Sequence, residues 1–356
     1  MAADIPNSFA IGAASTASTA SPALGVVVIG RNEGERLRRC LLSLQAATSP
    51  AMPAVIVYVD SGSTDGSVAM AASLGARVLE LDVTIPFTAA RARNAGARIL
   101  SAAANEAVLV QFVDGDCEVA PGWIAAASAF LERRPDVVAV CGRRRERFPE
   151  RSIYNRLCDL EWNTPIGAAR ACGGDVLMRL AAFERVGGFR EELIAGEEPE
   201  LCVRLRAAGG VIWRLDQEMT LHDAGMTRFS QWWKRSMRGG YAFAEGTALH
   251  GAPPERHWVR ETRSAWLWGF ALPVVLLLGS LWQPAMLAGF LLYPLQVARL
   301  YVRSRPPDPD AGEGQFEFRL ARAFFLVLGM FSEAAGALKF VVGRLTGNRS
   351  RLIEYK

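Results

Sequence analysis

Three histidines and six cysteines are the whole supply of imidazole and thiolate metal ligands in 356 residues. The cysteines, at 40, 117, 141, 158, 172 and 202, form no CxxC pair and no zinc-binding spacing, so they read as buried or free thiols in a reducing compartment. A dominant charge is missing as well. Against 36 acidic residues stand 40 basic ones, and a net +4 is too slight for a nucleic-acid partner. Residues 1–23 lack both a basic start and a long apolar run; rich in Ala, Ser and Thr, they read as a disordered tail, not a signal peptide.

What the chain does hold is length for a sizeable core and, from residue 24, short apolar runs alternating with helical segments, the pattern of a doubly wound α/β domain. Strands are expected at Leu24–Ile29, Ala54–Val59, Arg77–Leu81, Val108–Val113 and Val137–Cys141, with helices at Glu35–Leu44, Ser67–Leu74, Phe87–Leu100 and Pro121–Arg133. Val108–Val113 is apolar almost throughout, as in a strand buried on both faces. Asp114 and Asp116 follow at once, flanking Gly115 at the carboxyl edge where open α/β sheets bind ligands. Two carboxylates there outline a Mg or Mn site completed by water and phosphate oxygens; an Asp-Gly turn with two solvated carboxylates is the plainer alternative. The loops Gly30–Gly34 (GRNEG) and Asp60–Gly66 (DSGSTDG) open on the same edge. Asp60, leaving its strand, is placed to accept from ribose hydroxyls or a base N–H, whereas Asp65 is read as a cap of the next helix. Arg91 and Arg93 lie two apart on a helix, so at most one of them reaches a ligand at that edge.

VVVIGRNEGERL, VYVDSGSTDGS, ARARNAG and VDGD, in this order, resemble the nucleotide-binding half of family 2 glycosyltransferases, and the resemblance runs over about residues 24–246. It implies a GT-A-like, doubly wound, mostly parallel α/β sheet followed by C-terminal membrane helices, a donor that is a nucleotide diphosphate sugar (UDP-, GDP- or dTDP-linked), and a divalent metal. By position, Arg31, Glu33, Asp60, Arg93 and Asp114 would contact the nucleotide, while Asp114 and Asp116 would hold the metal. Gly173, Gly174 and Asp175 fall in the acceptor loop. Gly196-Glu197-Glu198 stands where the family has Gly-Glu-Asp, which gives the general-base role to Glu198, with Glu197 as its competitor. Acidic residues and a Pro in a first turn would equally complement a helix dipole.

His222 matches a position where relatives place a metal ligand, and Asp223 is a candidate to orient it. Residues 229–246 read as a helix whose Lys234, Arg235 and Arg238 would neutralise the departing diphosphate. A basic amphipathic helix on a membrane surface, with Trp232 and Trp233 among the headgroups, is the other reading. Gln231-Trp232-Trp233-Lys234-Arg235-Ser236 departs from the Gln-x-x-Arg-Trp pattern of processive relatives, which argues against a processive polymerase.

Ala265–Val302 carries no charge before Arg299 and is broken by Trp282-Gln283-Pro284, the pattern of a transmembrane hairpin. Arg260 and Arg263 before it, and Arg299, Arg303 and Arg305 at its end, put both ends in the cytoplasm. Phe324–Val342 is apolar except for Glu333 and Lys339; an interfacial helix is expected, with a third span as the alternative. The expected division is a tail (1–23), a catalytic domain (24–246, split at 142), a linker (247–264), a hairpin (265–302), a loop (303–319), and a last helix with a basic tail (320–356). Together these features lead us to expect an inverting, metal-dependent glycosyltransferase at the inner membrane. Its catalytic domain would face the cytoplasm and act on a lipid-linked or glycan acceptor in exopolysaccharide or cell-envelope synthesis. Transfer to a polyprenyl phosphate, and a catalytically silent binding subunit, are the alternatives.

Overall fold

A computed structural model describes residues 24–48, 54–102, 108–304 and 315–347. The expected N-terminal tail, most of the loop 303–319 and the end of the basic tail lie outside the described residues. Nine strands join in one sheet: β1 (Leu24–Gly30), β2 (Ala54–Asp60), β3 (Arg77–Glu80), β4 (Leu109–Asp114), β5 (Cys117–Val119), β6 (Val137–Glu146), β7 (Gly167–Ala168), β8 (Val176–Arg179) and β9 (Val211–His222). Their order is β3-β2-β1-β4-β8-β6-β9-β5, with β7 on β9. The first four pair in parallel, Val28 lying between Tyr58 and Val113. Beyond them β8 runs antiparallel to β4 and β6, and β9 parallel to β6, so the sheet is mixed and mostly parallel.

The helices of this part are α1 (Glu35–Ala47), α2 (Ser67–Ser73), α3 (Ala89–Ala102), α4 (Trp123–Arg133), α5 (Ile153–Glu161), α6 (Leu180–Arg185) and α7 (Glu197–Ala207). They cover both faces of the sheet, which is why its central strands are apolar runs without alternation. Val26 and Val28 pack with Leu37, Leu41 and Trp123 on one face. Val27, Val110 and Phe112 pack with Leu100, Leu201 and Leu205 on the other. Five elements were not expected: β5, β7, β8, α5 and α6, the strands among them being of two to four residues. β6 also runs past Cys141 to Glu146, because each arginine of its charged end has a carboxylate partner.

Then follow α8 (Phe229–His250), α9 (Val259–Trp266), α10 (Leu272–Gly279), α11 (Leu292–Arg303) and α12 (Gln315–Thr346). By length and composition, Val259–Gly279, Pro284–Arg303 and Phe316–Thr346 are long and apolar enough to cross a membrane. The expected linker is not a loose one. α8 continues to His250, and the turn after it docks on α7: His250 Nε2 lies 2.9 Å from Glu200, and Glu255 pairs with Arg170 and Arg206. The Trp258 ring lies over Gly196, whose φ of 78° leads the chain into α7. Trp232 is not a headgroup anchor either. It is 6% exposed, 6.4 Å from the Tyr154 ring and 4.8 Å from Phe325 of α12.

Candidate active site

The loops after β1 and β2 are laced together. Asn32, at a φ of 54°, accepts from the Thr64 N–H at 2.7 Å and donates its own N–H to Ser63 Oγ at 2.9 Å. Asp60 is 1% exposed and accepts from the N–H groups of Gly62 and Ser63 and from the hydroxyls of Tyr58 and Ser63. With its oxygens so engaged it anchors its own loop, and the expected open acceptor for ribose or base is not found there. Asp65 accepts from the Ser67 N–H at 3.1 Å where α2 begins, in keeping with a cap. Glu33 pairs with Arg36 at 2.8 Å and lies along Gly30 and Gly115, so it stands with exposed Arg31 on the ligand edge.

Arg93 brings the two halves of the site together. From α3, and only 3% exposed, it donates Nη2 to Asp114 Oδ1 and Nη1 to Glu197 Oε1, both at 2.7 Å. Arg91 turns away to the carbonyls of Asp82 and Ile85. Arg144 of β6 reaches the other Asp114 oxygen at 3.3 Å and stacks 5.0 Å over the Trp162 ring. Burial opposes ionisation of Asp114, but Arg93 and then Arg144 outweigh it and hold the carboxyl well below the usual carboxylate range.

Asp175 lies beneath. Fully buried, it accepts from the Asp114 N–H at 3.0 Å and the Thr220 hydroxyl at 2.7 Å, tying β4 to β9. It therefore positions Asp114 and has no face open to an acceptor, contrary to expectation. Gly173 and Gly174 do reach the site: a Cβ on Gly174 would come 2.7 Å from Arg93 Nη2.

Asp116 and His222 form a second, separate pair. Both are buried, with Nε2 and Oδ2 3.4 Å apart, and the Cys117 thiol completes a group of close donors. Glu146 Oε2 lies 3.8 Å from the other ring nitrogen, and Trp162 stands edge-on at 4.8 Å. Glu146 is itself fixed by the N–H groups of Phe148 and Ala224 and by the Asn155 amide. This carboxylate, not Asp223, faces the ring's Nδ1; Asp223 gives its N–H to the Asp116 carbonyl at 3.3 Å. Burial first, then Arg144, lowers the His222 pKa and keeps the imidazole neutral, the form that ligates. Two donors each about 2.1 Å from one divalent ion, at right angles, stand about 3 Å apart, so the pair fits such an ion with little movement. Nδ1 is otherwise a buried nitrogen without a hydrogen bond, which suits a proton aimed at Glu146. Asp114, expected as a metal ligand, is not in this group; two arginines hold its oxygens, and it falls with Cys117 and Asp175 in a neighbouring group of close donors.

Glu198 sits behind Glu197 at the start of α7. It is 3% exposed, and its Oε1 accepts from the Cys172 N–H at 2.6 Å and the Cys202 thiol at 2.8 Å. Burial raises its pKa in spite of those donors, as befits a proton acceptor. Arg235 does not meet its expected role at the diphosphate, since Glu161 of α5 takes its fork at 2.8 and 2.9 Å; Lys234 is exposed on α8, and Arg238 is half-buried there. The site residues that sequence reasoning passed over are Asn32, Arg144, Glu146 and Trp162. The run Arg143-Arg144-Arg145 held a signal, for alternate residues of a strand face opposite ways: Arg144 turns to Asp114, while Arg143 and Arg145 pair with Asp159 and Glu218.

Residues 25–179 of this chain match the family described as Glycosyl transferase family 2. The succinoglycan biosynthesis protein ExoA of Rhizobium meliloti (strain 1021) is 27% identical over 201 residues, 54% of this chain and 60% of that protein. Glycosyltransferase AglE of Haloferax volcanii is 24% identical over 196 residues, 53% of this chain and 62% of that protein. The match thus covers less than two thirds of either relative. The mannosyltransferase PcManGT from Pyrobaculum calidifontis, solved in complex with GDP-Man and Mn2+, superposes with a TM-score of 0.56 at 19% identity over 92% of this chain and 88% of that one. At that identity the likeness is one of fold.

Proposed function

We propose that this chain moves a sugar, with inversion, from a nucleotide diphosphate sugar to an acceptor hydroxyl, in dependence on Mg or Mn. The observation that carries the reading is the buried Asp116–His222 pair, 3.4 Å apart and backed by Glu146, at the carboxyl edge of β4. A divalent ion bound there would neutralise the diphosphate of the donor. Glu33 and Arg31 would line the nucleoside side, and Arg93 fixes Asp114 and Glu197 with respect to it. Glu198, whose pKa is raised by burial, takes the proton of the acceptor hydroxyl. The oxygen attacks the anomeric carbon opposite the leaving group, the bond from that carbon to the diphosphate breaks, and its electron pair leaves with the nucleoside diphosphate.

The likeness to a succinoglycan biosynthesis protein supports a place in polysaccharide or cell-envelope glycan synthesis. Three helices of membrane-crossing length support membrane association and an acceptor delivered on lipid. Arg260, Arg263, Arg299 and Arg303, flanking the first two, support an inner-membrane hairpin with the catalytic domain in the cytoplasm. The test is release of nucleoside diphosphate by full-length protein from UDP-, GDP- and dTDP-sugars with Mg2+ or Mn2+, for wild type, Asp116→Asn and Glu198→Gln. One active donor, with activity lost in both variants and Mn2+ binding weakened in Asp116→Asn alone, is expected. Full activity in Asp116→Asn, or Mn2+ binding equal to wild type, would refute the metal assignment.

A further inference from the structure

The transfer chemistry leaves unused the sulfur atoms that surround Glu198. Cys172 and Cys202 place their Sγ atoms 4.0 Å apart, and both are free thiols. Cys202 donates to Glu198 Oε1 at 2.8 Å, and the Cys141 thiol lies against Cys172. The two sulfurs and the Glu198 oxygen all stand within 4.8 Å of one another. Two thiolates 2.3 Å from a tetrahedral ion are about 3.8 Å apart, so this pair needs a shift of only about 0.2 Å. A disulfide, at about 2.05 Å, would require them to close by about 2 Å. Cys172 is half-buried beside exposed Gly173, which gives an ion a way in from the loop. Thiolates select zinc-class ions, whereas Mg2+ and Mn2+ favour oxygen donors, so the two sites of this domain differ in the ions they prefer.

We propose that Cys172, Cys202 and the Glu198 carboxylate form a second cation site, selective for zinc-class ions, whose occupation inhibits transfer by engaging the base. The site itself stands on the geometry alone; the inhibition rests on Glu198 acting as the base. On capture the two thiols each lose a proton to solvent, the ion gains two thiolates and one carboxylate oxygen, and water fills the fourth position.

The experiment uses the full chain in detergent with saturating Mg2+ and Co2+ as the probe, read by thiolate-to-cobalt charge-transfer absorption. The band is expected in wild type and in Cys117→Ser, is lost in Cys172→Ser and in Cys202→Ser, and is displaced by Zn2+. Zn2+ is expected to inhibit donor turnover in wild type, and each of the two serine variants, measured against its own activity, should need about tenfold more. Absence of the band in wild type, or its loss in Cys117→Ser alone, overturns the site and leaves the transferase reading untouched. A band that appears while Zn2+ leaves turnover intact overturns the inhibition and the assignment of Glu198 as base together.

Discussion

Replacing Arg93 with Met removes a guanidinium from between two carboxylates while keeping most of the side-chain volume. Glu197, with its side chain 11% exposed, loses the ion pair that ties it to α3, and Asp114, 26% exposed, keeps Arg144 alone. Breaking a buried pair by deleting one partner costs about 3–5 kcal/mol. Solvent reaches Asp114 and relieves part of that, so the lower end, about 3 kcal/mol, is the expected loss. In a domain of this size each kcal/mol moves the melting temperature by about 2–4 °C, which gives a fall of roughly 6–12 °C near neutral pH. The pH dependence has a definite sign. Burial works against the Asp114 charge but the two arginines prevail, so its folded pKa is depressed. Its stabilising contribution is then complete above the unfolded value of about 3.9 and is lost as pH falls through the folded one. Wild type therefore loses more stability than Arg93→Met on acidification, and the gap narrows only below about pH 4. Thermal melting of both proteins in detergent at neutral pH and near pH 3 measures this. Melting points within about 2 °C of each other at neutral pH, or an equal gap at both, would refute the bridging role.

Glu146→Ala leaves the His222 ring without the carboxylate 3.8 Å from its Nδ1 and should weaken Mn2+ binding by about 10–100-fold in titration calorimetry; unchanged affinity would show that the ring is oriented by other means. Trp258→Ala removes the ring that lies over Gly196 and 5.2 Å from Phe243, so kcat should fall while nucleotide affinity holds; a weaker nucleotide Kd with intact kcat would contradict the placement beneath α7. Gly336→Val drives a side chain into the Met237 carbonyl at the crossing of α8 and α12 and should lower stability by about 1–3 kcal/mol, read as a lower melting temperature in detergent, with Gly336→Ala milder.

The parallel half was legible because its strands are buried on both faces and so appear as unbroken apolar runs. The association of Asp116 with His222 was not legible from spacing. It depends on β5 pairing antiparallel with β9 in a register that sets Cys117 opposite His222, and only the family resemblance had pointed to the histidine. Asp60 was misread for a local reason: a loop of Ser, Gly and Thr supplies enough donors to satisfy a carboxylate without any ligand. Arg235 was misread for a distant one, since its partner Glu161 lies on a helix that the apolar pattern had not disclosed. Arg144 and Glu146 went unnoticed because a charged run at a strand end reads as solvent-facing until the strand's neighbours are known.

The same reasoning bears on α12. A helix of 32 residues is about 48 Å long, beyond the roughly 30 Å of a hydrocarbon core. Yet from Phe325, against Trp232, to Phe340, against Tyr241, it runs along α8. The glycines Gly240 and Gly336 let the two backbones touch there. α8 carries exposed Lys234 and ends on Glu200 of α7, so following α12 into lipid would drag charge with it. α12 is thus held along α8 through Phe325 and Phe340 as well as being long and apolar enough to cross a membrane. Trp258, which lies over Gly196, leads directly into α9 and the first of the other two helices of membrane-crossing length. Through Trp232 on Phe325 and His250 on Glu200, α12, α8 and the first turn of α7 form one continuous packed unit, so a displacement of α12 is transmitted to the Glu197–Glu198 end of α7.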